Sequence, residues 1–342
     1  MGVFMPPLEM DRFVAECCPY SPHPWLRNRH AMTLAGSLWP RRTLQLPRGI
    51  ERQFEVEPGT LLLAKCHWQE QARDHPTLVL VHGLEGSSES GYMRGAAELA
   101  FLAGLNVLRV NQRTCGGTEE LTPTLYGSGL SGDYAAILSE LIERDRLPAI
   151  FFAGYSMGGN LVLSMAGKLG ADAPHELRGI CGVCPTIELA SCVEALGRPA
   201  NLLYQRHFVS KLKARLRRKA RTFPGKFARD AVARVRTVRA FDDVVTAPHF
   251  GYRNADDYYY RASASRVMDR IAVPTLIITA QDDPVVPCEI FRGAAVNENR
   301  HLAVLAPQHG GHCAFISRLA GRERFWAEAR VVDFCAAVIS GD

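Results

Sequence analysis

Three short stretches of this 342-residue chain hold residues that could do chemistry together. The first is GYSMGGN (154–160), which sets Ser156 among Gly154, Gly158 and Gly159 directly after the apolar run AIFFA (149–153). A strand that ends in G-x-S-x-G and opens at once into a helix holds its serine on a sharp, strained turn. The turn pushes the hydroxyl out beyond the sheet edge, and side chains at positions 154 and 158 would collide with strand or helix. Gly159 adds room for close helix–strand packing. A serine placed this way is a nucleophile if a base takes its proton and an acid orients the base. The free N–H groups of the helix start face the place where a developing oxyanion would sit. The second stretch, QDDPVVP (281–287), puts Asp282 and Asp283 after the run TLIITA (275–280). The third, PQHGGHCAF (307–315), puts His309 and His312 after HLAVLA (301–306). Serine, acid and histidine thus follow in that order, each at the end of its own strand, where open α/β sheets place their sites.

The elements that must position these residues alternate. TLVLV (77–81), NVLRV (106–110), AIFFA, GICGVC (179–184), TLIITA and HLAVLA are mostly continuous apolar runs, which suits strands buried on both faces of a parallel sheet. Helical patterns lie between the first three, at 92–103 and in SGDYAAILSELIERD (131–145), and the last helix is expected over 325–339. The fold class is therefore α/β: a mostly parallel, doubly wound sheet. The alternation breaks between Pro185 and Ala262, a helical, basic stretch without a convincing buried strand, and resumes at Val273. This reads as an insertion within one sheet. Expected organisation is an N-terminal arm with antiparallel edge strands (1–75), a first core part (76–185), a helical basic cap (186–262) and a second core part (263–342).

Composition bounds the function classes. Apolar and charged fractions of 47% and 22% are those of an ordinary soluble globular protein. The start, MGVFMPPLEMDRF, lacks the basic and apolar regions of a signal peptide, and no run approaches a membrane span. Ten scattered cysteines without an export signal read as reduced thiols, and the lone Cys181-x-x-Cys184 as buried structural residues. The expected location is cytoplasmic, with peripheral contact at the inner face of a membrane as an extension. Net charge is +5, yet residues 206–239 hold 13 Lys+Arg against the single acid Asp230, or +12, which leaves 5 − 12 = −7 for the rest.

The chain resembles the α/β-hydrolase superfamily, and within it the YheT-like branch that includes the ABHD1, ABHD2 and ABHD3 proteins and the EMB8-type proteins. The resemblance spans nearly the whole chain and is carried by HGLEGSSES (82–90), NQRTCGG (111–117), GYSMGGN, FDDVVTAPHFGYRNADDYYYRAS (241–263), VPTLIITAQDDPVVP (273–287) and GGHCAF (310–315). It implies a serine hydrolase of carboxylic esters, in some members of acylglycerols or phospholipids. It implies Ser156 as nucleophile, His312 as base with His309 its neighbour, and Asp283 as the orienting acid with Asp282 the runner-up. It also implies the backbone N–H groups of Leu84 and Met157 as the oxyanion hole. Three places depart from the family pattern. His30-Ala-Met-Thr33 stands for H-x-Q-T, Thr114 for the glycine after Arg113, and Tyr126-Gly127 for Tyr-His.

The expected activity is hydrolysis of short- to medium-chain acyl esters or of acylglycerol- or phospholipid-like lipids through an acyl-enzyme. The same residues would serve an acyltransferase or thioesterase, and a non-catalytic lipid-binding adaptor is the alternative from another class. No cofactor is required. Glu85 and Glu89 near His82 lack a second histidine at ligand spacing, so no metal is assigned. In RHFVSKLKARLRRKARTF (206–223), Phe208, Val209, Leu212 and Leu216 form one stripe with cations around it. It reads as a solvated basic face of a cap helix, or as attraction toward anionic lipid or an acidic substrate. Nucleic acid finds no support, for want of a base-stacking platform.

Overall fold

A strand with apolar residues at every position needs cover on both faces, and that requirement shapes the molecule. In the computed structural model, which describes residues 13–14, 17–41, 45–227 and 232–341, eight strands form one sheet. They are β1 (Ile50–Glu57), β2 (Thr60–His67), β3 (Thr77–Val81), β4 (Asn106–Val110), β5 (Ile150–Tyr155), β6 (Leu177–Val183), β7 (Thr275–Ile278) and β8 (Leu302–Leu305). Their order is β1-β2-β4-β3-β5-β6-β7-β8. β2 runs antiparallel to both neighbours and the other pairs are parallel, so β2 alone is reversed. Arg229 and Asp230 of the basic window, most of the N-terminal stretch and residues 42–44 lie outside the described residues.

Alternate side chains of each strand enter opposite cores. Val79 and Val81 of β3 pack with α3 (Gly132–Glu143) and α4 (Met157–Leu169), while Leu78 and Leu80 pack with α2 (Gly91–Leu102) and α8 (Trp326–Ser340). The observed strands and helices fall within a residue or two of the runs read from the sequence. Strand AIFFA extends to Tyr155, so the serine turn begins with no intervening loop. α1 (Arg29–Leu38) precedes the sheet and is capped by Asn28, whose side chain accepts from the His30 and Ala31 amides.

Between β6 and β7 the chain makes α5 (Leu189–Gly197), α6 (Leu202–Thr222), short turns over 238–249 and α7 (Ala255–Ala262). Asn160, the last residue of GYSMGGN, ties this insertion to the core. Its side chain donates to the carbonyls of Ser128 (3.1 Å) and Ala262 (2.9 Å) and accepts from the Ala264 amide (2.8 Å). Among the described residues no helix is long and apolar enough to cross a membrane.

Candidate active site

The carboxyl ends of four adjacent strands stop on one level. Tyr155, Val183, Ile278 and Leu305 pair in a row across β5, β6, β7 and β8. The residues beyond that row therefore share one edge, and Ser156 comes first. Its backbone has φ 55° and ψ −118°, a region that costs a Cβ-bearing residue of order 1–3 kcal/mol. The glycines make that turn possible: a Cβ on Gly154 would overlap the Gly158 carbonyl, and one on Gly158 would stand 2.5 Å from the His82 carbonyl oxygen.

The loops after β7 and β8 bring the other residues to the serine. His312 Nε2 lies 3.0 Å from Ser156 Oγ, and His312 Nδ1 lies 2.9 Å from Asp283 Oδ2. With Nδ1–H donating to the carboxylate, Nε2 is free to accept the serine O–H. The other Asp283 oxygen accepts from the Val285 (2.8 Å) and Val286 (2.9 Å) amides, and the side chain is fully buried. Burial works against a charged imidazole at His312, but the Asp283 carboxylate outweighs it and holds the ring above its ordinary pKa.

Asp282 and His309, the other members of the two sequence pairs, meet each other instead. His309 Nδ1 is 3.2 Å from Asp282 Oδ2, and Asp282 Oδ1 accepts from the Gly311 amide at 3.0 Å. The turn after β7 is capped by Asp283, whose Oδ1 takes the amides of Val285 and Val286. Thr33 of α1 was missed as a site neighbour. Its hydroxyl accepts from the His312 amide at 2.9 Å and donates to the Arg29 carbonyl at 2.7 Å. The departing segment His30–Thr33 therefore braces the histidine loop from behind, and His30 meets Tyr204 of α6 at 3.1 Å.

Leu84 and Met157 both border the cavity in front of Ser156. A Cβ on Gly83 would stand 3.0 Å from that of Ser156, so glycine lets the loop after β3 come near without crowding the serine. His82 stiffens that loop as a buried, neutral ring, with Nδ1 on the Gly83 carbonyl (2.8 Å) and Nε2 accepting the Gln112 amide (3.1 Å). Burial pulls its pKa to about 4.

Glu85 is the departure from a merely solvated basic cap. Its carboxylate receives both Arg215 Nε and Nη2 at 2.9 Å and the Tyr126 hydroxyl at 2.6 Å. Arg215 and Glu85 are 7% and 3% exposed, and Arg215 also donates to the Thr114 carbonyl. Such a bidentate pair is geometrically specific, and it clamps α6 of the cap onto the loop that carries Leu84. Thr114 occupies the left-handed region at φ 65°, which explains why glycine is common there in the resembling family. Lys219 is buried too, with Nζ donating to the Glu119 carbonyl (2.8 Å) and that of Thr122. Both cations could have been found in the sequence, since 208, 212, 215 and 219 fall at helical three- and four-residue steps along the apolar stripe. Glu89 pairs with Arg109 and Lys65, so neither acid near His82 is free to ligate.

The cavity in front of Ser156 and His312 measures about 110 Å³ and its wall is mostly aliphatic and aromatic, including Leu196, Phe208, Leu212 and Phe241. Tyr258 and Tyr259 border it as well. Asp242 lines it too; its carboxylate accepts from Tyr259 (2.8 Å) and Thr246 (2.7 Å), and burial lifts it to about 6.

Comparison with known proteins agrees with this architecture. The pattern of the alpha/beta hydrolase family matches residues 78–322. The chain is 32% identical over 310 residues to YheT of Escherichia coli (strain K12), provisionally named an esterase, covering 90% of each chain. It is 28% identical over 342 residues to phospholipase ABHD3 of Mus musculus, covering 96% of this chain and 82% of the other. Among solved structures, Est1E from Butyrivibrio proteoclasticus superposes with a TM-score of 0.54 at 17% identity, covering 85% of this chain and 99% of that one, a likeness of fold. From sequence and fold together, the chain belongs to the α/β hydrolase family, in the branch of YheT and ABHD3.

Proposed function

We propose that the protein hydrolyses carboxylic esters through Ser156, His312 and Asp283. The observation that carries this reading is the unbroken line Ser156 Oγ–His312–Asp283, at 3.0 and 2.9 Å, opening on an apolar cavity. The esterase and phospholipase names of its relatives support the reaction class. Ser156 Oγ attacks the ester carbonyl while its proton passes to His312 Nε2. The Leu84 and Met157 amides receive the oxyanion, and the imidazolium then protonates the departing alkoxide. Water, deprotonated by the same nitrogen, attacks the acyl-enzyme and releases the acid.

Cavity size sharpens the substrate. An apolar cavity of about 150 Å³ accepts benzene, so one of about 110 Å³ holds roughly four carbons unless the cap shifts. Hydrolysis of p-nitrophenyl esters from acetate to palmitate is the test, with an optimum at the short end. Absence of turnover from folded protein at every length, or turnover equal in Ser156→Ala, would overturn the reading. Product analysis with added alcohols separates water from another acyl acceptor.

The outer face of α6 supports the membrane expectation. Arg206, Lys213 and Arg217 line a surface groove with Arg236, and Leu202 and Leu203 stand exposed at the helix start. Cations beside apolar side chains fit an anionic lipid surface. Co-sedimentation with anionic vesicles that is lost at high salt is the expected result, and equal binding to neutral vesicles would remove it.

A further inference from the structure

His312 has a second set of neighbours that ester hydrolysis does not use. Cys184, just past the end of β6, is buried, and Cys313, next to the histidine, is partly buried. Their two sulfurs and a ring nitrogen of His312 all lie within 4.8 Å of one another. Cys313 Sγ stands 4.0 Å from Nε2, the nitrogen that faces Ser156. The Cys313 amide donates to Cys184 Sγ at 3.3 Å, which holds the two residues together. Both are free thiols, and both have left-handed backbones, φ 44° and 56°, where a Cβ is costly and strain marks functional sites.

We propose that Cys184, Cys313 and His312 form a site for a thiophilic divalent cation such as Zn²⁺, whose binding switches the hydrolase off. Two thiolates and an imidazole supply three of the four tetrahedral positions that Zn²⁺ prefers. Bond lengths of about 2.3 Å to sulfur and about 2.0–2.1 Å to nitrogen set ligand separations of roughly 3.5–3.8 Å. The present spacing therefore contracts by about 1 Å at most. The tautomer that accepts the serine proton is also the one that ligates a metal, since Nδ1–H is committed to Asp283. A carboxylate behind a metal-bound imidazole is a recurrent supporting arrangement. On binding, the two thiols release two protons to solvent, the ion exchanges water for two sulfurs and Nε2, and no oxidation state changes. With its lone pair taken, Nε2 no longer accepts a proton from Ser156. Inhibition rests on the role proposed for His312; binding does not.

The test uses the full chain, stripped with chelator and kept under a non-thiol reductant. Zn²⁺ is titrated against hydrolysis of p-nitrophenyl acetate, and Co²⁺ binding to Ser156→Ala is followed by its thiolate charge-transfer absorption. Near-stoichiometric inhibition that a chelator reverses is expected. Cys184→Ser and Cys313→Ser should hydrolyse within a few-fold of wild type, require at least ten-fold more Zn²⁺ for inhibition, and lose the cobalt band. If Cys184→Ser does not fold, Cys313→Ser and Cys313→Ala carry the test. Unchanged Zn²⁺ sensitivity in the cysteine variants, or Co²⁺ bound without sulfur absorption, overturns the site. Inhibition without metal that reductant abolishes points to a disulfide and overturns it also. Should the ester reading fail, cobalt absorption that depends on both cysteines still establishes the site.

Discussion

Asp283–His312 and Asp282–His309 are built from adjacent aspartates and from histidines three residues apart, yet their surroundings differ in every respect that matters to chemistry. The Asp283 side chain is fully buried and His312 is 14% exposed, whereas Asp282 and His309 are 18% and 31% exposed. Asp283 spends its spare oxygen on the turn that holds it, so its geometry is locked from its own loop. Asp282 spends its spare oxygen on the Gly311 amide, so it binds one loop to the other. Only His312 has a second ring nitrogen on a serine hydroxyl. The same two residue types thus line up behind a serine hydroxyl in one register and clamp two loops in the next, because neighbouring residues on a turn point in different directions.

Ser156→Ala and His312→Gln break the first pair most severely. Each is expected to lower kcat for a short p-nitrophenyl ester by about 10⁴–10⁶, while His309→Gln stays within about ten-fold. A loss at His309 as large as that at His312 would exchange their roles. Asp283→Asn comes next, with a fall in kcat on the order of 10⁴, against a small effect for Asp282→Asn. Steady-state kinetics on the two asparagine variants read this directly.

The clamp between cap and core is a test of stability as well as rate. Arg215→Met leaves the Glu85 carboxylate buried without its cation, which costs about 3–5 kcal/mol and should appear as a lowered urea midpoint. Turnover should fall alongside, since Leu84 directly precedes Glu85 on the same loop. An unchanged midpoint would show that the pair is dispensable.

A pH–rate profile sharpens the charge side of the comparison. Neutral imidazole is the form that accepts the serine proton, and Asp283 favours the protonated form. kcat/KM should therefore rise with pH through a limb above the ordinary histidine value of about 6.5. A limb below that value would mean that burial outweighs the carboxylate. Smallest is Thr33→Val, which removes one hydrogen bond to the His312 loop and should cost about 1 kcal/mol in chemical denaturation.

Legibility in the sequence follows the range of the interaction. GYSMGGN was readable because G-x-S-x-G after a strand is a short, recognisable pattern, although Gly158 answers to the His82 carbonyl of another strand end, and the apolar runs were readable because a two-sided strand leaves few polar positions. The choice between Asp282 and Asp283 needed family resemblance, since both sit on the same turn. Thr33 and Cys184 were not read as neighbours of His312. Thr33 is 279 residues away in the chain, and nothing in its local spacing records that distance closing. Arg215 was read as a surface cation because basic residues surround it, although its position on the apolar stripe was the contrary signal.

Sequence by itself therefore determined the parallel sheet, the strained serine turn and the order serine–acid–histidine at strand ends. Each follows from backbone sterics or from periodic burial, which act over a few residues. Tertiary structure alone decided which aspartate meets which histidine, that Arg215 lies inside on Glu85, and how much space the cap leaves before Ser156. Those depend on how separate loops and the cap close on one another, and packing across such distances has no signature in neighbouring residues.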